Sequence, residues 1–123
     1  DNEAEMPKIA GMYINRLHLN MPLQADPTVK FATKNFTAHR IYQKWLTIDN
    51  PYNTYKYRGL PPGPIRIPSV AAIDAVLNYV HHDYIYMCAK EDFSGTHNFA
   101  KTYEEHQKNA AKYAKALNEH GIN

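Results

Sequence analysis

Seven histidines, at positions 18, 39, 81, 82, 97, 106 and 120, carry the ligand chemistry that a metal would need. No two stand four apart, as the ligands of a helical zinc protease do, and Cys88 has no second cysteine beside it. No metal site is therefore expected, and no other cofactor. Nucleophile chemistry fares no better. There is no GxSxG elbow and no GxxxxGKS phosphate loop, and Cys88 lies in an apolar run where it reads as a small buried hydrophobe. Acid–base chemistry needs a carboxyl group facing a cleft. Asp26, Asp49 and Glu91 qualify by position, but no spacing singles one of them out. Ten tyrosines stand against one tryptophan. A tyrosine offers a flat apolar face with a polar tip, which suits sugars and equally suits cores and interfaces.

The stretch best placed to position such groups is NPYNTYKYRGLPPGPIRIP at 50–68, which holds five of the eight prolines and both Gly59 and Gly63. So many fixed φ angles and missing N–H donors exclude a helix or a central strand. Tyr52, Tyr55 and Tyr57 give it apolar area to pack, so it reads as a rigid loop entered by a short extended piece over 53–57. A rigid loop on a scaffold either presents binding residues or serves as a stiff connector.

Around that loop the pattern predicts helices and one hairpin. Ile9, Met12, Tyr13 and Leu17 recur at helical spacing, with Pro7 in the first turn and Asn20 as the C-terminal cap, which gives a helix over 7–19. Asp26 as N-cap and Pro27 behind it open a short helix to Thr33. Asp26 is then either the cap alone or a polar group aimed into a cleft, with Gln24 beside it just outside the helix. Residues 35–49 fit a helix through Ile41, Trp45 and Ile48, although the same residues also suit a strand. Ser69 caps a helix over 70–78 whose apolar residues Val70, Ile73, Val76 and Leu77 share a side. Residues 84–89 are the strongest strand. The Ser94-Gly95 turn then returns the chain along 97–100. Thr102 and Glu105 form a capping box for a last helix, with an apolar stripe of Tyr103, Ala110, Tyr113, Ala114 and Leu117, closed by Gly121. That helix is expected to pack with the 70–78 helix around the strand. The class is α+β: several helices on a small antiparallel sheet or hairpin, with a rigid Pro/Gly/Tyr-rich loop.

A chain of 123 residues is enough for one domain with one core, and 44% hydrophobic with 21% charged residues suits a globular protein. The net charge of +2, with arginines scattered at 16, 40, 58 and 66, gives no footprint for nucleic acid. No apolar run approaches the ~18 residues of a membrane span, and no signal peptide is visible. The chain begins at Asp1 without a methionine and reads as a piece of something longer.

Four stretches together go further: PKIAGMYINRL at 7–17, MPLQADPTV at 21–29, the 50–68 loop, and HNFAKTYEEH at 97–106. In order and spacing they resemble the YceG-like family of endolytic murein transglycosylases along nearly the whole chain, with YNTY followed by GLPPGPI as the most specific signal. The resemblance implies a bacterial cell-wall enzyme acting outside the cytoplasmic membrane and anchored to it by an upstream segment. Its substrate would be peptidoglycan glycan strands, cut at the MurNAc–GlcNAc β-1,4 bond to leave 1,6-anhydro ends, with cell-wall synthases as possible partners.

The family's catalytic glutamate is expected upstream of Asp1. Glu3 and Glu5 match the acidic run that follows it, so no catalytic residue is carried onto residues 1–123, which are expected to form a single domain fragment, inactive alone. Such an enzyme can use one carboxyl group twice. It protonates the leaving glycosidic oxygen, then takes the proton of the muramic 6-hydroxyl as the anhydro ring closes. The match assigns sugar orientation to Gln24, Asp26, Thr28, Asn53, Thr54 and Tyr55, with the 61–64 segment shaping the loop; each is alternatively loop scaffolding. The competing functions are a non-catalytic glycan-binding module and a module that recruits wall synthases.

Overall fold

A computed structural model of the chain describes residues 3–35 and 42–121. Among these residues it contains four α-helices and one two-stranded antiparallel sheet, the α+β class expected: α1 Met6–His18, α2 Asp26–Thr33, α3 Val70–Leu77, β1 Tyr86–Ala89, β2 His97–Ala100 and α4 Tyr103–Glu119. Two compact units divide the chain, one made of Asp1–Asn15 with Ser69–Asn123, the other of Arg16–Pro68.

In the first unit the hairpin pairs Tyr86 with Ala100 and Ala89 with His97, and the Ile85 N–H to Ala100 carbonyl bond carries the ladder one residue further back. β1 begins later than the expected Tyr84 because Tyr84 is spoken for elsewhere. Its N–H donates to Nδ1 of His82 and its carbonyl accepts from the Asn15 side-chain amide. α4 lies across both strands, with the Tyr86 ring stacked on His106 at 5.0 Å and Ala116 and Leu117 buried. Its start follows the capping box, Thr102 Oγ1 accepting the Glu105 N–H. Two residues of the expected stripe depart from it: Ala114 faces solvent, and Tyr103 is exposed although its ring meets that of Tyr86.

α3 starts where Ser69 accepts the Ala72 N–H. It does not pack on α4 as expected. Only Ala75 is buried, while Val70, Ile73, Val76 and Leu77 stay exposed, because the aromatic residues of α4 itself already cover the hairpin. The chain leaving α3 instead runs along α1. The Val80 N–H donates to the Pro7 carbonyl, and a Cβ on Gly11 would collide with the Val80 carbonyl oxygen. His82 closes this contact. Nε2 meets the Lys8 carbonyl at 2.8 Å and Nδ1 meets the Tyr84 N–H at 3.1 Å, so the ring proton sits on Nε2.

In the second unit α1 ends at His18, and the left-handed backbone of Asn20 (φ 55°) lets the Met21 N–H reach the Arg16 carbonyl. Arg16 is buried and donates to the Pro22 carbonyl at 2.6 Å. Leu23 and Val29 form the apolar centre, with Phe31 against Tyr52 at 4.8 Å.

Three expectations change in this unit. The 35–49 helix is replaced, in its described part, by a short 3-10 turn, Gln43–Thr47; residues 36–41 lie outside the described residues. At the end of that turn the Asn53 side-chain amide takes the carbonyls of Leu46 and Ile48. The extended piece at 53–57 is a turn, with the Lys56 and Tyr57 N–H groups both donating to the Asn53 carbonyl. Asp26 is not an N-cap: it lies within the first turn of α2, after Ala25, and makes no capping bond. Its carboxylate is held by Tyr55 instead. The rest of 50–68 is irregular, as its prolines require.

Candidate functional site

Gln24, Asp26, Thr28, Asn53, Thr54 and Tyr55 all lie in the Arg16–Pro68 unit, and hydrogen bonds join the segments that carry them. The centre is a closed ring of four groups. The Ala25 N–H donates to Thr54 Oγ1 at 2.9 Å, and Thr28 Oγ1 donates to the Ala25 carbonyl at 2.7 Å. A hydroxyl has one proton, so in the 2.8 Å contact between the two threonines the donor is Thr54. The Gln24 N–H adds a bond to the Thr54 carbonyl. Thr28 and Thr54 are buried, so each of these bonds is made out of water, where losing a partner is costly.

Asn53 performs the same service on the other side. It is fully buried; its amide donates to Leu46 and Ile48 at 3.0 and 2.9 Å, and its Oδ1 accepts the Tyr55 N–H at 3.0 Å. Thr28, Asn53 and Thr54 thus form a saturated internal frame. What the frame presents is Gln24, Asp26 and Tyr55. Gln24 is exposed and held at φ 50°, a left-handed conformation unusual for a residue with a side chain. Asp26 is exposed at the start of α2, where a carboxylate suits the positive helix end. The Tyr55 hydroxyl donates to Asp26 Oδ1 at 2.6 Å, fixing both side chains.

A second tyrosine–carboxylate pair follows two residues later and escaped sequence reasoning. The Tyr57 hydroxyl donates to Asp49, and Lys56 approaches the same carboxylate at 3.8 Å. The bond from Tyr57 to Asp49, aided by partial desolvation and the carboxylate's charge, raises the Tyr57 ionisation above that of a free phenol. The Tyr-x-Tyr spacing of 55 and 57, read with two upstream aspartates, was the available signal. On the 61–64 segment, Gly63 lies where a Cβ would press on the Tyr52 hydroxyl, so the loop approaches that ring closely.

In the other unit Glu91 accepts from the Asn98 amide, and Cys88 is held above the usual thiol range by burial and by the nearby Glu91 charge. Glu5 grips His97 at two points, Nδ1 at 2.8 Å and the backbone N–H at 3.0 Å. Among the described residues no group of three or more His, Cys, Asp or Glu side chains is placed to hold a metal ion, and no helix is long and apolar enough to cross a membrane.

The arrangement is a polar–aromatic loop platform that presents a carboxylate, an amide and a phenol at its surface. The chain belongs to the YceG-like family, whose model matches residues 1–112. It is 44% identical over 117 residues to an endolytic murein transglycosylase of Bacillus subtilis, covering 95% of this chain and 32% of that protein. A protein of the same name from Streptococcus pneumoniae is 35% identical over 109 residues, which cover 85% of this chain and 20% of the relative. A crystal structure of a yceG-like protein from Listeria monocytogenes superposes with a TM-score of 0.75 at 43% identity, over 81% of this chain and 32% of that one. The chain therefore spans about a third of the Bacillus relative and a fifth of the streptococcal one.

Proposed function

We propose that these residues form part of a peptidoglycan lytic transglycosylase, a lyase that cuts the MurNAc–GlcNAc β-1,4 bond inside glycan strands and leaves 1,6-anhydroMurNAc ends. The observation that carries this reading is the 44% identity, over nearly the whole chain, to a protein named for that activity. In the proposed division of labour Gln24, Asp26 and Tyr55 meet the sugar, while Thr28, Asn53 and Thr54 hold them in place. The general acid/base is the glutamate expected ahead of Asp1. It gives its proton to the leaving oxygen and recovers one from the 6-hydroxyl, so neither water nor a second carboxylate is required. The same reading puts the domain on the outer face of the cytoplasmic membrane, tethered by a segment outside these residues, beside the synthases that make the strands.

Purified peptidoglycan digested with this chain and with the longer protein provides the test, with anhydro ends read by mass spectrometry. The longer protein is expected to release them and the 123-residue chain to release none. Equal product from both would place the acid inside this chain, with Asp26 as the first residue to examine. No product from either would remove the activity.

A further inference from the structure

Away from the loop platform, the outer side of the hairpin unit gathers two ammonium groups on one pair of aromatic rings. Tyr84 and Phe99 pack with centroids 5.7 Å apart. Lys8 Nζ, from α1, lies 4.4 Å from the Phe99 centroid and 5.2 Å from that of Tyr84. Lys101 Nζ, from the turn ahead of α4, lies 5.8 Å from the Tyr84 centroid. Neither ammonium forms an ion pair with a carboxylate among the described residues. Glu5, one helical turn before Lys8, has both its oxygens committed to His97. Two like charges drawn to one ring repel each other, and the rings displace part of the water that would screen them. An anion seated against both relieves that repulsion. Both ammonium groups already stand against the rings, so less side-chain entropy is lost when the anion binds.

We propose that Lys8 and Lys101, held over Tyr84 and Phe99, bind carboxylate groups of the stem peptide carried on muramyl sugars, as a second contact with peptidoglycan. The inference rests on the peptidoglycan reading above, and goes beyond it by making the peptide, rather than the sugar, the group recognised here.

The test compares binding of the 123-residue chain to short glycan strands bearing stem peptides with binding to the same strands after chemical amidation of every carboxyl group. Amidation is expected to weaken the wild-type chain about tenfold, the scale of two partly exposed charge pairs. In Lys8→Gln/Lys101→Gln, binding to the untreated strands falls by the same factor, and amidation has no further effect. Lys101→Gln alone, at an exposed position that folding does not depend on, loses about a third of that free energy or more. Equal wild-type affinity for both strand types, or discrimination surviving in the double variant, overturns the peptide site and leaves the glycan reading standing. Wild-type binding to neither strand type overturns both.

Discussion

At the scale of single residues, the loop platform separates residues that hold from residues that are held. Gln24 keeps a side chain in the left-handed region, a strain of about 1 kcal/mol, where its N–H and that of Ala25 both bond to Thr54. Gln24→Gly removes the strain and the amide together. Thermal stability is expected to hold or rise slightly, while affinity for glycan strands falls; a calorimetric scan beside a binding titration checks both. Thr54→Val keeps the shape but opens the four-membered ring, leaving the Ala25 N–H and the Thr28 hydroxyl each short of a partner. The expected loss is about 2 kcal/mol in denaturant unfolding, with Thr54→Ser recovering most of it.

Tyr57 gives a pH signature. Its ionisation is raised in the folded chain, above the unfolded value of about 10. The bond to Asp49 thus contributes stability at neutral pH, and that contribution is lost as pH rises through the folded value. In Asp49→Asn one phenolate should form at lower pH in an ultraviolet titration; an unchanged curve would separate Tyr57 from Asp49.

Local signals were legible in the sequence, and signals between distant segments were not. Ser69 and Thr102 cap the helices they were expected to cap, because a cap is written within four residues. For Asn53 the sequence leaves sugar orientation and loop scaffolding open, and no local pattern reveals that its amide turns back on Leu46 and Ile48. The ring joining Thr28 to Thr54 spans 26 positions, and the bond of Tyr55 to Asp26 spans 29. The loop's irregular course was visible in its prolines, but which of its side chains face outward depends on these long-range bonds.

Among the elements, α1 and α3 make opposite demands. α1 allows a backbone to run against it at Gly11, so Gly11→Ala forces its new methyl into the Val80 carbonyl. Overpacking of this kind costs about 1–3 kcal/mol, and a shift of the Val80 amide in an NMR spectrum should accompany the loss. α3 looks in sequence like a core helix, with mostly apolar residues over its length. Yet Val70 and Leu77 keep 76% and 73% of their surface in water. Replacing both with lysine is therefore expected to change stability by less than about 0.5 kcal/mol per site. A larger loss would mean that these side chains have a neighbour. Hydrophobic periodicity identified the helix but not its surroundings, since the aromatic residues that cover the hairpin belong to α4.

For the whole molecule the decisive question raised by the proposed function is which part of the longer protein moves the proton and which part holds the strand. General acid–base catalysis is worth about 10²–10⁴-fold, whereas a hydrogen bond to a bound sugar made equally in ground and transition state changes affinity alone. The proposed division of labour therefore predicts two different kinetic signatures in the longer protein. Tyr55→Phe and Asp26→Asn remove polar groups proposed to orient sugar, and each should raise KM severalfold while leaving kcat within a few-fold. Replacing the upstream glutamate by glutamine should instead collapse kcat and leave strand binding intact. Asp26 is the informative position, because its carboxylate stands exposed on the platform, held by the Tyr55 hydroxyl. If Asp26→Asn lowers kcat by the full acid–base factor with KM unchanged, the proton is moved from within residues 1–123 and the upstream glutamate has a lesser part. Steady-state kinetics on defined glycan strands, with anhydro product counted by mass spectrometry, distinguishes the two.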